Sequence, residues 1–435
     1  MKPNRTLDAF AHLTGNLTRW FPQRGARALD GILYPLMGND LVTGLFGRLN
    51  QKKLMDVPHF ERLLVVSDIH IGDAVLFQTA VSALRDFFPN AQIDYAVKKS
   101  IDGIIGGNPD VTELWPVFTG GQFPNDRDVL CVQSLSVEYD AVFNFCPFLP
   151  GSAFPEPHRI FHFTSWAPVF VQNERKPLMP NHIAYQAHRF IYDLLEPKFP
   201  IQRARSFEGP NLHLSHEAIQ TAEDFIRSKA GPGPEPILFF NPDTASPYTR
   251  VPFPSQSELL RAITDMPCRV LMGEGHTDRG IGERLLLTLP LWKRERIVLV
   301  PSSLALDAYA ALIDHADVFI SGDTGPLHIA AAYKRSKGVS FCFRNRTAVL
   351  SVFGATPPRL SGYDSSRAGY LASSQEAESF SYQSRSACRN ITCMHKMGKS
   401  CDPRECFESV DIDRIVGDIK ILFRERSRRG SPVKV

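Results

Sequence analysis

The sequence predicts an α/β protein made of parallel sheets with helices between the strands. Three observations carry this expectation. Continuous apolar runs such as Leu63-Leu64-Val65-Val66-Ser67 and Val318-Phe319-Ile320-Ser321 have the composition of strands buried on both faces, rather than the alternation of a half-exposed strand. Each run is followed by a short loop containing Gly and Asp and then by apolar residues at helical spacing, which is the repeating unit of such sheets. Finally, 435 residues exceed what one hydrophobic core usually supports, so two domains are expected.

Composition narrows the class further. Hydrophobic residues make up 43% and charged residues 22%, ordinary proportions for a globular chain. A net charge of +3 is too weakly basic to argue for a nucleic-acid partner. No apolar run is long enough to span a bilayer, and the opening Met1-Lys2-Pro3-Asn4-Arg5-Thr6-Leu7-Asp8 lacks the apolar core of a secretory signal. Together these predict a cytoplasmic location. The absence of Gly-x-Gly-x-x-Gly after the first strand disfavours a nicotinamide dehydrogenase.

In chain order, residues 1–60 form an extension in which Arg5, Arg19, Arg24, Arg27, Lys52 and Lys53 alternate with Phe10, Trp20, Phe21, Leu33 and Phe46. It reads as a helical arm docked on its own domain or on a second subunit, or as an amphipathic segment lying on an anionic membrane face. Asp8, Asp30, Asp40 and Asp56 dilute the positive charge and favour the arm. A first domain over 61–205 opens with the strand at Leu63, the loop Asp68-Ile69-His70-Ile71-Gly72-Asp73, a helix over 74–88 and a strand from Gln92. Strand-like pieces follow near Val111 to Val117 and Val129 to Val132, then a strand from Asp140 to Phe145. Residues 147–182, rich in Pro, Phe and His, read as long loops over an active-site cleft.

A second domain over 206–385 places strands at Ile237 to Asn241, Cys268 to Met272, Ile297 to Val300 and Asp317 to Ser321. The last leads through Gly322-Asp323-Thr324-Gly325-Pro326-Leu327-His328-Ile329-Ala330-Ala331 into a helix. Ligands of open α/β sheets sit beyond the carboxyl ends of strands, and the free N–H groups where a helix starts favour anionic oxygens. On this reading Asp323 accepts hydrogen bonds from sugar hydroxyls, Thr324 and Gly325 present donors, and His328 reaches toward a phosphate. A helix cap explains Asp323 equally well, and core packing explains His328. The segment 386–435 holds Cys388, Cys393, Cys401 and Cys406, four thiols able to form a structural zinc knuckle, although the usual x2 spacing is missing.

The Asp-Thr-Gly-Pro-Leu-His-Ile-Ala-Ala-Ala stretch at Asp323, paired with Gly72-Asp73 in the first domain, resembles the two motifs of the bacterial heptosyltransferase family, glycosyltransferase family nine. The resemblance spans residues 62 to about 420. It implies the B-type glycosyltransferase architecture, two Rossmann-like α/β domains facing a cleft. It implies an inverting transferase that moves a heptose from a nucleotide diphosphate, ADP-heptose, to a hydroxyl of a glycolipid acceptor of the lipopolysaccharide core, with peripheral contact to the inner membrane and no cofactor in the chemistry.

Carried over residue by residue, the resemblance makes Asp73 the general base, with a helix cap as its alternative. It places Thr244 in the turn that contacts the diphosphate and Arg250, ahead of Phe253-Pro254, as the cation that neutralises it. Glu274 or Asp278 holds the ribose, and Ser302 lies near the base, where an N-cap would also explain it. After Ala332 the basic insertion Tyr333-Lys334-Arg335-Ser336-Lys337 departs from the family pattern. A transferase of other donor or acceptor specificity, or a non-catalytic binding protein, is the alternative reading, and oligomeric state is left open.

Overall fold

The structure, a computed structural model, describes residues 54, 59–67, 70–119, 124–146, 149, 153–156, 159–163, 182–203, 205–231, 233, 235–245, 249–338, 340–354, 356–383, 407 and 410–428. Nearly all of the N-terminal extension and all four C-terminal cysteines lie outside these residues, as do Asp68 and Ile69. The described chain divides into two compact units, one ending at Asn211 and the other beginning at Leu212.

In the first unit, strand β1 (Arg62–Val66) leads to helix α1 (Ile71–Phe87) and strand β2 (Gln92–Lys98). Strand β3 (Glu113–Phe118), helix α2 (Asp126–Ser136), strands β4 (Ala141–Asn144) and β5 (Ile160–His162) and helix α3 (Ile183–Leu195) follow. The strands are parallel in the order β3-β2-β1-β4-β5. Continuous burial of Leu63 to Val66 explains the unbroken apolar run, because helices cover both faces of such a sheet. Helix α3 lies against α1, where the Thr79 hydroxyl donates to the Ala184 carbonyl at 2.7 Å and the Tyr192 hydroxyl to Asp86 at 2.7 Å.

The expected strand piece at Val129 to Val132 is instead part of helix α2. Asn125 accepts hydrogen bonds from the N–H groups of Arg127 and Asp128, while Asp128 accepts from the N–H of Asn125, a reciprocal capping box. That local pairing satisfies the first free donors of a helix and outweighs the strand preference of two valines.

The second unit contains strand β6 (Asn211–Leu214) from its Leu212 onward, helix α4 (His216–Phe225), strand β7 (Ile237–Asn241), helix α5 (Phe253–Ile263) and strand β8 (Arg269–Gly273). Helix α6 (Ile281–Leu287), strand β9 (Ile297–Val300), helix α7 (Leu306–Asp314), strand β10 (Val318–Gly322) and helix α8 (Gly325–Ala331) follow. Strands β11 (Tyr333–Ser336), β12 (Ala348–Phe353) and β13 (Ser379–Gln383) and helix α9 (Ile412–Arg428) complete it. Its large sheet is parallel in the order β13-β12-β10-β7-β8-β9. The basic insertion after Ala332 supplies β11, which pairs with β6.

Both large sheets share one topological property. Strand β1 lies between β2 and β4, and β7 lies between β8 and β10, so in each unit the chain winds outward in opposite directions from its first long strand. A crevice opens beyond the carboxyl ends of two strands where the winding reverses, which is where doubly wound sheets take ligands. Helix α9 closes the core of the second unit through Ile415, Val416, Ile419 and Phe423.

At the amino ends of the central strands β7 and β10, Asp317 ties three segments together. Its Oδ2 accepts from the Ile237 N–H and pairs with Arg426 of α9, and its Oδ1 pairs with Arg344, each at 2.8 Å. Asp317→Ala is expected to destabilise the protein by about 2–3 kcal/mol, because it strands one backbone donor and two guanidinium groups. Urea unfolding measures this, and an unchanged midpoint would show the carboxylate to be redundant.

Candidate active site

The reversal between β7 and β10 brings together the loop that carries the Asp323 motif and the loop that carries Thr244 and Arg250. Strand β10 is buried along its whole length and ends at Gly322. A Cβ added there would lie 2.8 Å from the Thr249 carbonyl and 3.3 Å from Thr244 Cγ2. The chain after β7 therefore runs directly over the end of β10, which a side chain at 322 would prevent.

Asp323 and Thr324 follow at once. Thr324, not Asp323, occupies the cap position of α8, in an extended conformation and without a side-chain capping bond. Asp323 is therefore released from the capping role that the sequence left open. Its Oδ1 accepts a hydrogen bond from the Ser361 hydroxyl at 3.2 Å. Burial pushes its carboxyl up to about 6, against the opposing hydrogen bonds from Ser361 and Thr356. Five residues on, His328 is buried, with its Nδ1 3.1 Å from the Tyr363 hydroxyl and its ring edge-on to the Tyr363 ring.

On the β7 side, Asp243 is buried and organises the neighbouring loop. Its Oδ2 accepts from the backbone N–H groups of His276, Thr277 and Asp278 at 2.8, 2.6 and 3.2 Å. Its Oδ1 pairs with Arg250 Nη2 at 3.0 Å. Arg250 in turn reaches Asp278 at 2.8 Å and the Thr244 carbonyl at 3.1 Å, and Asp278 also pairs with Arg284 at 2.7 Å. Thr244 and Arg250 thus lie together beside the β7 to β10 reversal. Asp278, one of the two carboxylates considered for the ribose, is held between two guanidinium groups. Sequence reading missed Asp243, the residue just before Thr244; only the fold reveals that it faces three N–H groups from residues 33 to 35 positions away.

Glu274, the other candidate, is differently placed. Its Oε2 accepts the N–H of Ser302 at 3.0 Å, joining the loops after β8 and β9. Glu274, His276, Arg279, Glu283, Ser302 and Ser303 line a cavity of about 410 Å³ at the carboxyl ends of these two strands. The loop can turn this tightly because Gly275 adopts φ +97°, where a Cβ would meet the Asp278 carbonyl at 2.4 Å. Ser302 lies in a turn, and α7 begins only at Leu306, so Ser302 does not cap it.

In the first unit, Asp73 stands in the first turn of α1, which begins just beyond β1. The cap position is His70, whose Nδ1 lies 3.7 Å from Asp73 Oδ2. Asp73 is therefore a partly exposed carboxylate inside the helix and not its cap. Among the described residues no group of three or more His, Cys, Asp or Glu side chains is arranged to hold a metal ion; Cys388, Cys393, Cys401 and Cys406 fall outside them. No helix of the described residues is long and apolar enough to cross a membrane.

Two parallel doubly wound units, with polar loops at the β7 to β10 reversal of the second, follow the plan of the B-type glycosyltransferases. Residues 191–390 match the family model of glycosyltransferase family 9 (heptosyltransferase). Over those residues the chain is similar to the glycosyltransferases of that family. It is 22% identical over 310 residues to lipooligosaccharide heptosyltransferase 2 of Haemophilus influenzae, a match covering 68% of this chain and 84% of that protein. The structure resembles E. coli ADP-heptose LPS heptosyltransferase II with a TM-score of 0.56 and 16% identity, covering 84% of this chain and 99% of that one. It matches a family 9 glycosyltransferase from Veillonella parvula to the same TM-score and identity, covering 84% of this chain and 97% of that one. These two structures bear on the fold.

The far end of α8 is held by an unusual group. Lys334, 1% exposed, directs its Nζ to the carbonyls of Ala330 and Ala332 at 3.4 and 3.3 Å. Gln375 also donates to the Ala332 carbonyl at 2.6 Å, so the last turn of the helix is satisfied by side chains. Burial lowers the Lys334 ammonium from 10.5 to about 8, with Asp314 partly opposing the shift.

Between these two values the unfolded chain keeps a proton that the folded chain has released, so this group makes stability rise with pH across that window. Lys334→Met is expected to lack the rise. Urea midpoints of the two proteins at pH 7.5 and pH 10 measure the difference, and parallel pH profiles would exclude the effect.

Proposed function

We propose that the protein is an inverting transferase that moves a heptose from ADP-heptose to a hydroxyl of a lipopolysaccharide core acceptor. The observation that carries this reading is the placement of Asp323-Thr324-Gly325 at the β7 to β10 reversal, beside Thr244 and Arg250. A nucleotide diphosphate needs cations and donors for its phosphates and carboxylates for its hydroxyls, and these loops supply both kinds. The identity of the donor rests on relatives: E. coli heptosyltransferase II is described as an ADP-heptose enzyme, and the H. influenzae relative as a lipooligosaccharide heptosyltransferase.

In this reading the second unit holds the donor. Glu274 and Ser302, in the cavity after β8 and β9, take the nucleoside, with Asp278 bracing the adjacent loop. Asp323 accepts hydrogen bonds from hydroxyls of the sugar. Thr244, Thr324, Gly325, His328 and Arg250 lie along the diphosphate, where positive charge and N–H donors stabilise the negative charge that grows as it departs.

The first unit holds the acceptor. Asp73 takes the proton from the acceptor hydroxyl as its oxygen attacks the anomeric carbon from the side opposite the diphosphate, which inverts the configuration. Each bond formed to the sugar matches one broken, and the proton passes to Asp73. A glycolipid acceptor brings the protein to the inner face of the cytoplasmic membrane as a peripheral partner. The four C-terminal cysteines are kept as a candidate structural zinc site, separate from the chemistry.

A thermal-shift panel of nucleotides and nucleotide sugars tests the donor, because binding raises apparent stability by mass action. ADP and ADP-heptose are expected to raise the melting temperature, with UDP and GDP derivatives giving much smaller shifts; the reverse ranking overturns the donor assignment. Asp73→Asn is expected to keep the ADP-dependent shift while slowing transfer by about 10²–10⁴-fold, the usual contribution of a general base. Transfer at the wild-type rate, followed by mass spectrometry of the glycolipid product, would remove Asp73 from the reaction.

A further inference from the structure

The loop that follows β12 touches both motif side chains of the site. Ser361 donates to the Asp323 carboxylate at 3.2 Å, and two residues later the Tyr363 hydroxyl lies 3.1 Å from His328 Nδ1. We propose that Ser361 and Tyr363 are positioning residues of the donor site, Ser361 orienting the Asp323 carboxylate and Tyr363 orienting the His328 ring. The inference rests on the donor reading above and adds to it a buttress that neither sequence motif contains.

This loop is fixed with unusual closeness. At Gly362, between the two residues, a Cβ would lie 2.6 Å from Ser381 Oγ, 2.7 Å from Phe353 Cε2 and 2.7 Å from the Pro358 carbonyl. No side chain fits there, so the loop presses directly on β12 and β13. The Ser381 hydroxyl donates to the Tyr363 carbonyl at 2.9 Å, and its N–H donates to Asp364 at 3.2 Å. Tyr363 is 1% exposed. Strand β13 thus holds the loop, and the loop holds the two motif residues.

The chemistry follows from burial. The phenol of Tyr363 is pushed far above its ordinary value by desolvation, so it stays protonated and offers a hydroxyl to the imidazole. Asp323 carries the larger consequence, since a carboxylate accepts hydrogen bonds from sugar hydroxyls best when ionised, and burial opposes ionisation. Around it, α8 contributes His328, turned to Tyr363, and the β7 loop contributes Thr244 and Thr249 against Gly322. No charged group among the described residues shifts it. The opposing influences are the hydrogen bonds from Ser361 and Thr356. Without the Ser361 hydroxyl the carboxyl must titrate higher.

Two measurements separate this inference from the donor reading. In the ligand-free full chain labelled with ¹³C-carboxyl aspartate, the Asp323 signal, identified by its absence in Asp323→Asn, is expected to titrate near pH 6. In Ser361→Ala its midpoint rises by about one unit, and Ser361→Thr restores it. An unmoved midpoint in Ser361→Ala overturns the role of Ser361.

Calorimetric titration with ADP-heptose and with ADP is the second readout. Affinity for ADP-heptose, whose sugar Asp323 contacts, is expected to weaken as pH falls through the same midpoints, and Tyr363→Phe, which keeps the ring, is expected to bind ADP about tenfold more weakly than wild type at pH 7.5. Wild-type affinity in Tyr363→Phe overturns the role of Tyr363. A wild-type chain that binds no ADP, yet shows the Ser361-dependent titration, sinks the donor reading and leaves the Ser361 to Asp323 coupling standing.

Discussion

Parallel strands cannot be joined by tight turns, and each must be reached through a crossover that returns to the starting edge of the sheet. That constraint organises everything functional in this chain. It sends all the loops that follow strands to one end of each sheet, and reversal of the winding between β7 and β10 keeps two of those loops from being covered by a crossover helix. Asp243, Thr244 and Arg250 come from one loop, and Asp323 and Thr324 from the other. Their proximity is a result of strand order and needs no closeness in sequence.

The site is then tuned by what surrounds it. Asp243 is spent entirely on structure: one carboxylate fastens the turn after β8 and holds Arg250. Arg250 is shared between Asp243 and Asp278, so its charge is positioned and partly neutralised before any ligand arrives. Asp323 differs, with hydroxyl partners but no cation among the described residues, and its carboxyl is accordingly harder to ionise. Two acidic residues at the ends of neighbouring strands thus differ in kind, one held by backbone donors and a guanidinium, the other by hydroxyls alone. A perturbed carboxyl in a polar crevice is the pattern expected where chemistry is done.

Helix α8 shows how the same segment serves both ends. Its start carries the Asp323 motif, and its last turn is closed by Lys334 and Gln375. Lys334 belongs to the basic insertion that departs from the family pattern, a charge run of the kind that is usually solvated. Its side chain instead fills the interior behind the site. Loss of water around the buried ammonium lowers its basicity, and that cost is offset by satisfying carbonyls that no later helical turn can reach.

Much of this protein was legible in order along the chain. The apolar runs at Leu63 and Val318 specified parallel strands because a buried strand needs apolar residues on both faces, and the spacing after them specified helices. Asp323 and Asp73 were picked out by motif, and the loops that carry them fall where the strand order leaves a crevice in each unit. Val129 to Val132 misread as a strand because the Asn125 and Asp128 capping pair, a local signal, was passed over in favour of valine content. By itself the sequence determined the class of fold and the resemblance to the family motifs, since these depend on periodicity and short-range pattern. Only the tertiary structure decided that Thr324 rather than Asp323 caps α8, that Asp243 is a scaffold for residues more than thirty positions away, and that Ser361 and Tyr363 stand behind the motif. Those facts depend on contacts between segments distant in the chain, and no local pattern records which distant donor a buried carboxylate will meet.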